Sequence, residues 1–448
     1  MGHIIFVIND LVSVRNAVIE LTQRLQRAGH KVTIASPRQQ RTQIEPYHIP
    51  YIQLPAPETI SDKRTYLQKW RDFHQRRYEA VQALNLDESI ALIEQAQPDL
   101  IVVEAEIATH VIGLSQLDVP LATLAYFPSI YRGRKLPPLH LAIVPDEGWQ
   151  GTAFGISVAW WRYNLQRIRG EIRYFLSNAG LYRLSILRHL AKQVGFDFRR
   201  EVSIFHWMNP VTFTRLPLLS LYALEFDFPH TLRKNVKHLG ALVNHNRLNI
   251  GRDEAEAQKL ERIFQLIDDT SQQRVIYCAF GSLFAGDDSN FIERLLEAVK
   301  HRPDWIVIIS MGARRDDTYN DIPEHVHIFS WVDQLRILQV ADAIVMHAGL
   351  GTIMESLYHG VPMLSYPFPV NDQLGEGARI HYHRLGIVGQ RDTDSPETIR
   401  GYIEQLLNNP LYHENVAKMQ DTLANYSPEH TVRVFEDLLE SERLIAIR

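Results

Sequence analysis

The feature that most constrains this chain is an alternation of short apolar strands with amphipathic helices. Near the start, the pattern predicts a strand over Ile4–Ile8, a helix over Val14–Ala28 that Gly29 ends, and a second strand over Lys31–Ala35. Strands that alternate with helices in this way form parallel sheets covered by helices on both faces. The sequence therefore predicts an α/β protein.

The same alternation starts again at Arg274, which indicates a second domain in a chain of 448 residues. We predict two doubly wound Rossmann-like domains that face each other across a cleft. The expected parts are residues 1–243 with a helical insertion at about 150–195, a linker and helix over 244–273, a second domain over 274–430, and a last helix over 431–448.

Composition narrows the class of protein. The net charge is −5 and no long basic run occurs, which argues against a nucleic-acid-binding protein. The single cysteine, Cys278, excludes an intramolecular disulfide and a multi-cysteine metal site. We see no signal peptide and no apolar run approaching the ~20 residues of a spanning helix. The sequence therefore predicts a cytoplasmic protein.

Residues 345–373 carry the strongest chemical signal, because a strand leads through a glycine-rich turn into a helix. Such a turn presents backbone N–H groups to phosphate. Gly349 and Gly351 allow close approach of the backbone, and Thr352 can donate from the first helical turn. Glu355 lies one turn deeper, where a carboxylate can bind a ribose diol. This order predicts a nucleotide site.

A second strand, Pro362 to Tyr366, is followed by Asp372 and Gln373. Their carboxylate and amide groups suit the hydroxyls of a sugar. Phosphate, ribose and hexose ligands thus occur in the order of a nucleotide-sugar.

This segment resembles the donor signature of glycosyltransferase family 1, the UDP-glycosyltransferase-like enzymes. Phe280-Gly281-Ser282 and Trp331-Val332-Asp333-Gln334 match two further family motifs. The resemblance is specific over about residues 274–390. It implies the glycosyltransferase-B fold, with the acceptor in the N-terminal domain, the donor in the C-terminal domain, and a last helix that packs back across the junction.

The resemblance also assigns roles to further donor residues. Trp331 would stack on uracil beside Gln334, His347 would contact the diphosphate, and Ser282 would donate to the phosphates from the opposite loop. The helix dipole and these side chains can hold a diphosphate, so we predict no metal and no cofactor other than the UDP-hexose co-substrate.

The acceptor side departs from the family. Inverting transfer needs a base at the acceptor hydroxyl, and the family histidine position holds Val14 here. Asp10, at the end of the first strand, and Glu104, at the end of the Leu100–Val103 strand, are the candidate replacements. Both residues are also explained by loop and helix capping. An acceptor that needs no base, or a protein that binds nucleotide-sugar without turnover, stays open.

Residues 155–192 combine seven Lys or Arg with interleaved aromatic residues and one acid, Glu171. This composition predicts either peripheral contact with an anionic membrane or a helical lid over the acceptor crevice.

Weaker likeness to the zeaxanthin glucosyltransferase branch rests on three short segments, Leu136-Pro137-Pro138, Phe226-Asp227-Phe228-Pro229 and Asp372–Ile380. It implies a hydrophobic, carotenoid-like or other lipophilic alcohol as acceptor. The predicted function is an inverting glycosyltransferase that uses a nucleotide-activated hexose. The alternatives are a nucleotide-sugar 2-epimerase and a catalytically silent sugar-nucleotide-binding protein.

Overall fold

The computed structural model describes residues 1–248, 254–269, 273–280, 289–312, 319 and 321–446. Within these ranges, no helix is long and apolar enough to cross a membrane.

The N-terminal half is built on a seven-stranded parallel sheet in the order β3-β2-β1-β4-β5-β8-β9. A two-stranded antiparallel ribbon of β6 and β7 lies outside it. The strands are β1 (His3–Val7), β2 (Lys31–Ser36), β3 (Tyr51–Gln53), β4 (Leu100–Glu104), β5 (Leu121–Ala125), β6 (Val202–Ser203), β7 (Thr212–Phe213), β8 (Leu218–Ser220) and β9 (Val236–His238).

Ten α-helices accompany this sheet in the described part of the chain, with 3₁₀ turns at Glu45–Tyr47 and Leu224–Phe226. They are α1 (Val12–Arg27), α2 (Arg41–Ile44), α3 (Tyr66–Arg71), α4 (Phe73–Gln82), α5 (Leu86–Gln95), α6 (Ala108–Leu114), α7 (Gly148–Gly151), α8 (Ala153–Ser177), α9 (Arg183–Val194) and α10 (Phe198–Glu201).

The C-terminal half contains a six-stranded parallel sheet in the order β12-β11-β10-β13-β14-β15. Its strands are β10 (Arg274–Ala279), β11 (Trp305–Ser310), β12 (Val326–Phe329), β13 (Ala343–Met346), β14 (Met363–Ser365) and β15 (Gly386–Val388). The helices are α11 (Glu254–Asp269), α12 (Ser289–Val299), α13 (Gln334–Leu338), α14 (Leu350–Tyr358), α15 (Gln373–Tyr382), α16 (Pro396–Asn408), α17 (Pro410–Leu423) and α18 (Pro428–Ala446).

Two parallel-strand α/β units confirm the predicted fold class. The central strands are buried along their whole length, as the continuous apolar runs required, because helices cover both faces of each sheet. Each sheet reverses its strand order beside its first strand, β1 in one and β10 in the other. Ligands in such sheets bind beyond the carboxyl ends of the strands near that point.

The last helix, α18, returns to the N-terminal half. Its Phe435, Leu438 and Leu439 join the buried cluster that contains Ile4 and Phe6 of β1. The rings of Phe6 and Phe435 meet edge to face at 5.8 Å. The helix thus connects the end of the chain to the first sheet.

A buried ion pair also connects the two halves. Arg379 of α15 donates from Nε and Nη2 to Oδ1 of Asp227 at 2.9 and 2.6 Å, and both side chains are fully buried. Asp227 follows the Leu224–Phe226 turn of the N-terminal half. The pair therefore fixes α15, and the loop that precedes it, against the first domain.

Candidate active site

Two adjoining concavities occupy the cleft between the sheets. The smaller, of about 150 Å³, lies against the C-terminal half and includes Trp331, Gln334, Gly351, Thr352 and Glu355 in its lining. The larger, of about 700 Å³, lies against the N-terminal half. Ser13 and Tyr126 line both. We call the first the donor pocket and the second the acceptor cavity.

The turn between β13 and α14 forms one wall of the donor pocket. Ala348, not a glycine, takes the left-handed conformation with φ of +59°, while Gly349 has φ of −70°. An added Cβ at Gly349 would meet no atom within 4 Å, so the space beside it is open. At Gly351 the Cβ would lie 3.3 Å from Ser13 Cβ and 3.4 Å from Tyr126 Oη. Gly351 therefore permits close approach of the first domain.

The same turn begins α14, a helix of nine residues. Its first N–H groups have no partner within the helix and carry partial positive charge. Thr352, in the first turn of α14, adds a hydroxyl to the donor pocket. The strand–turn–helix geometry expected from the sequence is therefore present.

Glu355 belongs to a chain of polar side chains at the base of the donor pocket. Gln334 Nε2 donates to Glu355 Oε2 at 2.5 Å, and Arg247 Nη2 donates to Glu355 Oε1. Gln334 in turn accepts from the Tyr277 hydroxyl at 3.0 Å. The sequence analysis missed Arg247, which precedes α11. Its guanidinium forms an ion pair with the Glu355 carboxylate.

Trp331 follows β12 and is 51% exposed at the mouth of the donor pocket. A tryptophan side chain that only packed in the hydrophobic core would be buried. Its exposed face is therefore available for stacking on a planar base.

His347 precedes the glycine turn, and its ring is enclosed by aromatic neighbours. It is buried between the rings of Phe280 and Phe368, at centroid distances of 5.0 and 4.2 Å. Burial lowers its pKa to about 4, so the imidazole is neutral at physiological pH. It is absent from the residues that line the donor pocket. A neutral imidazole keeps one N–H donor, so the contact of His347 with the diphosphate stays a prediction. Ser282, the other predicted phosphate ligand, lies outside the described residues.

Asp372 and Gln373 line the acceptor cavity, not the donor pocket. Asp372 occupies the N-cap position of α15, but its side chain makes no capping hydrogen bond. Burial raises the pKa of Asp372 to about 6. The Gln373 side-chain oxygen accepts from Phe368 N at 3.0 Å, which fixes the loop. Asp372 thus presents its carboxyl group to the cavity.

The two candidate bases lie in different surroundings in the structure. Asp10 is half-exposed, accepts a hydrogen bond from Arg15 Nη1 at 2.9 Å, and lines neither concavity. Glu104 ends β4 and lines the acceptor cavity. Its Oε2 accepts from Asn9 N at 2.7 Å, while its Oε1 receives no N–H or hydroxyl donor. Val14 is buried in the first core and touches the cavity wall.

Glu106 accompanies Glu104 at the cavity. The two carboxyl groups lie within hydrogen-bond reach of each other. Burial raises the pKa of Glu104 to about 8 and raises that of Glu106 as well. Two carboxyl groups so placed hold one proton between them more readily than two charges. Sequence reasoning identified Glu104 from the end of its strand, but the turn after it gave no signal for Glu106.

An aromatic wall closes the acceptor cavity. The rings of Tyr163 and Trp207 stack at 5.4 Å, and His140 stacks on Trp207 at 5.7 Å. Burial lowers the pKa of His140, and its Nδ1 lacks a hydrogen-bond partner. The stack combines α8 with two loops that are distant in sequence. Within the described ranges, no three His, Cys, Asp or Glu side chains converge as metal ligands would.

Comparison with known proteins agrees with this geometry. Residues 293–438 match the family described as erythromycin biosynthesis protein CIII-like, C-terminal domain. The oleandomycin glycosyltransferase of Streptomyces antibioticus is 27% identical over 173 residues, 38% of this chain and 39% of the relative. An uncharacterized UDP-glucosyltransferase of Bacillus subtilis is 27% identical over 157 residues, 35% of this chain and 38% of the relative. The chain thus spans less than two fifths of these relatives.

Solved structures match over nearly the whole chain. The calicheamicin glycosyltransferase superposes with a TM-score of 0.67 at 17% identity, over 98% of both chains. The glycosyltransferase VinC, solved with dTDP, gives 0.63 at 16% identity, over 98% of this chain and 99% of that one. These likenesses show the fold. The relatives do not confirm the zeaxanthin branch. The whole-chain likeness to these structures shows the glycosyltransferase-B fold, and the sequence likeness to glycosyltransferases lies mainly in the C-terminal half.

Proposed function

We propose that this protein transfers a hexose, with inversion, from a nucleoside diphosphate sugar to a hydroxyl group of a hydrophobic acceptor. One observation carries the proposal: the donor pocket shares Ser13 and Tyr126 with a cavity of about 700 Å³ that is also lined by the carboxyl groups of Glu104 and Glu106. A donor bound in the first would place its sugar at the entrance of the second.

Each donor residue has a proposed role. Trp331 stacks on the base, which we expect to be uracil, and Glu355 binds the ribose diol while Gln334 and Arg247 orient its carboxylate. The N–H groups at the start of α14, with Thr352, bind the diphosphate. These groups supply the electrostatics that a metal would otherwise provide, so EDTA should leave turnover unchanged.

Asp372 and Gln373 face the sugar rather than the nucleotide. Both line the acceptor cavity together with Gly349, where a hexose attached to the diphosphate would project. Asp372→Ala should therefore leave UDP affinity nearly intact while turnover falls.

We propose Glu104 as the general base, in place of the family histidine. The acceptor hydroxyl transfers its proton to Glu104 as its oxygen bonds to the anomeric carbon. The bond from that carbon to the diphosphate oxygen breaks, and the nucleoside diphosphate leaves with the bonding electrons. Burial and the hydrogen bond with Glu106 both raise the pKa of Glu104, whereas that bond lowers the pKa of Glu106, so the shared proton favours Glu104 and Glu104 acts as the base once it has lost that proton. General-base catalysis of this kind typically contributes ~10²–10⁴-fold in rate.

The wall of the cavity favours a lipophilic acceptor. Tyr163, Trp207, Met208 and Phe127 provide aromatic and thioether surface, and no described lining residue is Lys or Arg. A carotenoid-like or other lipophilic alcohol would pack against this wall with its hydroxyl toward Glu104.

The test is incubation with a panel of nucleotide-sugars, with and without lipophilic alcohols, followed by separation of all products. We expect free nucleotide and a glycosylated alcohol in equal amounts, with the product formed ~10²-fold or more slowly by Glu104→Gln. Conversion of the nucleotide-sugar to its 2-epimer without an acceptor would overturn the proposal. So would tight UDP binding without turnover of any sugar tested.

A further inference from the structure

Helix α8 is only partly packed against the protein. Its buried side chains, Ile156, Ala159, Trp160 and Asn164, all lie in the first half. From Leu165 to Ser177 no residue is buried. A 25-residue helix extends about 37 Å, so roughly half of that length presents a surface to its surroundings.

That surface is apolar in a continuous row. Trp161, Leu165, Ile168, Ile172 and Leu176 follow each other at spacings of four, three, four and four residues, which places them on one face of the helix. Trp161, Ile168, Ile172 and Leu176 are 63%, 41%, 52% and 52% exposed. A lid packed over the crevice would have covered this row.

A second row beside it is basic. Arg162, Arg169 and Arg173 lie about a quarter turn from the apolar row at 100° per residue, and all three are exposed. Arg167 differs, because it donates to four backbone carbonyls of the 204–210 loop and serves the fold. The chain carries a net charge of −5, so this local row of positive charge opposes the overall sign.

Helix α3 extends the apolar surface. The Tyr66 hydroxyl donates to Leu176 O at 2.7 Å, and the rings of Trp70 and Phe175 meet at 5.3 Å. Between Tyr66 and Trp70, Leu67 is 80% exposed. We call the exposed side chains of α8 and α3 the α8 face.

We propose that the α8 face docks onto the surface of a bilayer that contains anionic lipid. Apolar side chains would enter the headgroup region while the adjacent arginines contact lipid phosphates, the arrangement of helices that lie in a membrane interface. A second copy of the chain fits less well, because a two-fold contact through this face would bring the same arginine row of both copies together.

Docking through the α8 face would also affect how the acceptor reaches its cavity. The loop held by Arg167 turns Ile204 and Phe205 toward a groove of about 230 Å³ beside the apolar row. The same loop turns Trp207 and Met208 into the acceptor cavity. The 204–210 loop therefore contributes residues both to the groove beside the apolar row and to the acceptor cavity.

Sedimentation with phosphatidylcholine vesicles, with and without phosphatidylglycerol, tests the proposal. The protein should sediment with the anionic vesicles and be released as salt rises. Arg162→Gln/Arg169→Gln/Arg173→Gln should weaken vesicle affinity by roughly a hundredfold. Ile168→Ser/Ile172→Ser should weaken it by about tenfold or more.

The matched control is Leu266→Ser/Ile322→Ser, which removes two side chains of similar exposure, 44% and 42%, from the C-terminal half. It should bind vesicles as the unaltered protein does. Equal binding by all variants, or no binding to anionic vesicles, would overturn the proposal. Light scattering that shows a dimer abolished by Ile168→Ser/Ile172→Ser would assign the face to a second copy instead. Transfer to a water-soluble alcohol should be unchanged in every variant, so this test is independent of the proposed activity.

Discussion

The ion pair between Asp227 and Arg379 should be a principal bond between the two halves of the protein. Asp227 Oδ1 accepts from Arg379 and from Phe228 N, while Oδ2 accepts from the Tyr222 hydroxyl and Ser129 N, each at 3.0 Å. The Arg379 guanidinium also lies 4.5 Å from the centre of the Phe228 ring. No acceptor position of the carboxylate is left to solvent.

Replacement of Arg379 by Met removes the positive charge and leaves Asp227 buried. Removal of one partner of a buried pair typically costs about 3–5 kcal/mol, and Asp227→Asn alone should cost a similar amount because the guanidinium is then unneutralised. The double variant removes both charges and keeps an amide oxygen for Tyr222 and Ser129. It should cost only about 2 kcal/mol, the value of the lost inter-domain hydrogen bonds. The two substitutions should therefore be coupled by about 3 kcal/mol or more.

The pH dependence follows from the same pair. Burial alone would raise the pKa of Asp227, but the charge and hydrogen bonds of Arg379 outweigh it and leave that pKa lowered. The stabilisation is therefore present above the ordinary carboxyl pKa and is lost as pH falls through the folded-state value. The deficit of Arg379→Met should be largest near neutral pH and should shrink in acid, where Asp227 can protonate.

Urea unfolding followed by tryptophan fluorescence and by circular dichroism measures these free energies, provided that the two transitions coincide. Lys135→Met is the matched control, because the Lys135–Asp146 pair is exposed to solvent and should contribute little to the free energy of unfolding. The reasoning would be refuted if Arg379→Met lowered the free energy of unfolding by less than about 1 kcal/mol, or if the losses of the two single variants simply added in the double variant. In either case the pair would not be a main contact between the two halves.

Three further predictions concern the site. Glu355→Ala should weaken UDP binding by about 1.5–3 kcal/mol in calorimetry, and unchanged affinity in the folded variant would remove Glu355 from the ribose site. If Glu104 is the base, kcat/KM should rise with pH toward about 8. Glu106→Gln should move this rise to lower pH without a change in UDP affinity. An unchanged pH profile in that variant would mean that Glu106 does not influence the catalytic base. Gly351→Ala places a Cβ 3.3 Å from Ser13 Cβ, so urea unfolding should show none of the roughly 0.5–1 kcal/mol that Gly→Ala usually adds in a helix, whereas a full gain would mean that the two halves can move apart there.

The fold was predictable because its causes are local in sequence. Continuous apolar runs such as Val275–Phe280 correspond to strands covered on both faces, and glycine and proline mark their ends. The strand–turn–helix unit was predictable for the same reason, since Gly349, Gly351, Thr352 and Glu355 lie within seven residues of each other. Residues that are this close in sequence come together when the strand, turn and helix form, without contacts from distant segments.

The rest of the site depends on contacts between distant segments. Arg247 reaches Glu355 across 108 positions, and Tyr126 touches Gly351 from the other domain. No periodicity in the sequence reports such distances. Asp10 shows the reverse case, because its position at a strand end suggested the cleft while Arg15, five residues on, holds it at the surface.

The location of the proposed base explains how the chain can lack the family histidine. Val14 is buried in the hydrophobic core of the N-terminal half, so this position at the start of α1 packs against other apolar side chains. Glu104 lies on β4, the neighbour of β1, and its bond to Asn9 N brings the carboxyl group to the end of β1, directly before α1. A base on the adjacent strand thus reaches the region where the histidine would stand. Because burial raises the pKa of Glu104 to about 8, the position that makes Glu104 a stronger base also means that it accepts a proton from the acceptor only after losing its own, which ties activity to the pH range near that pKa.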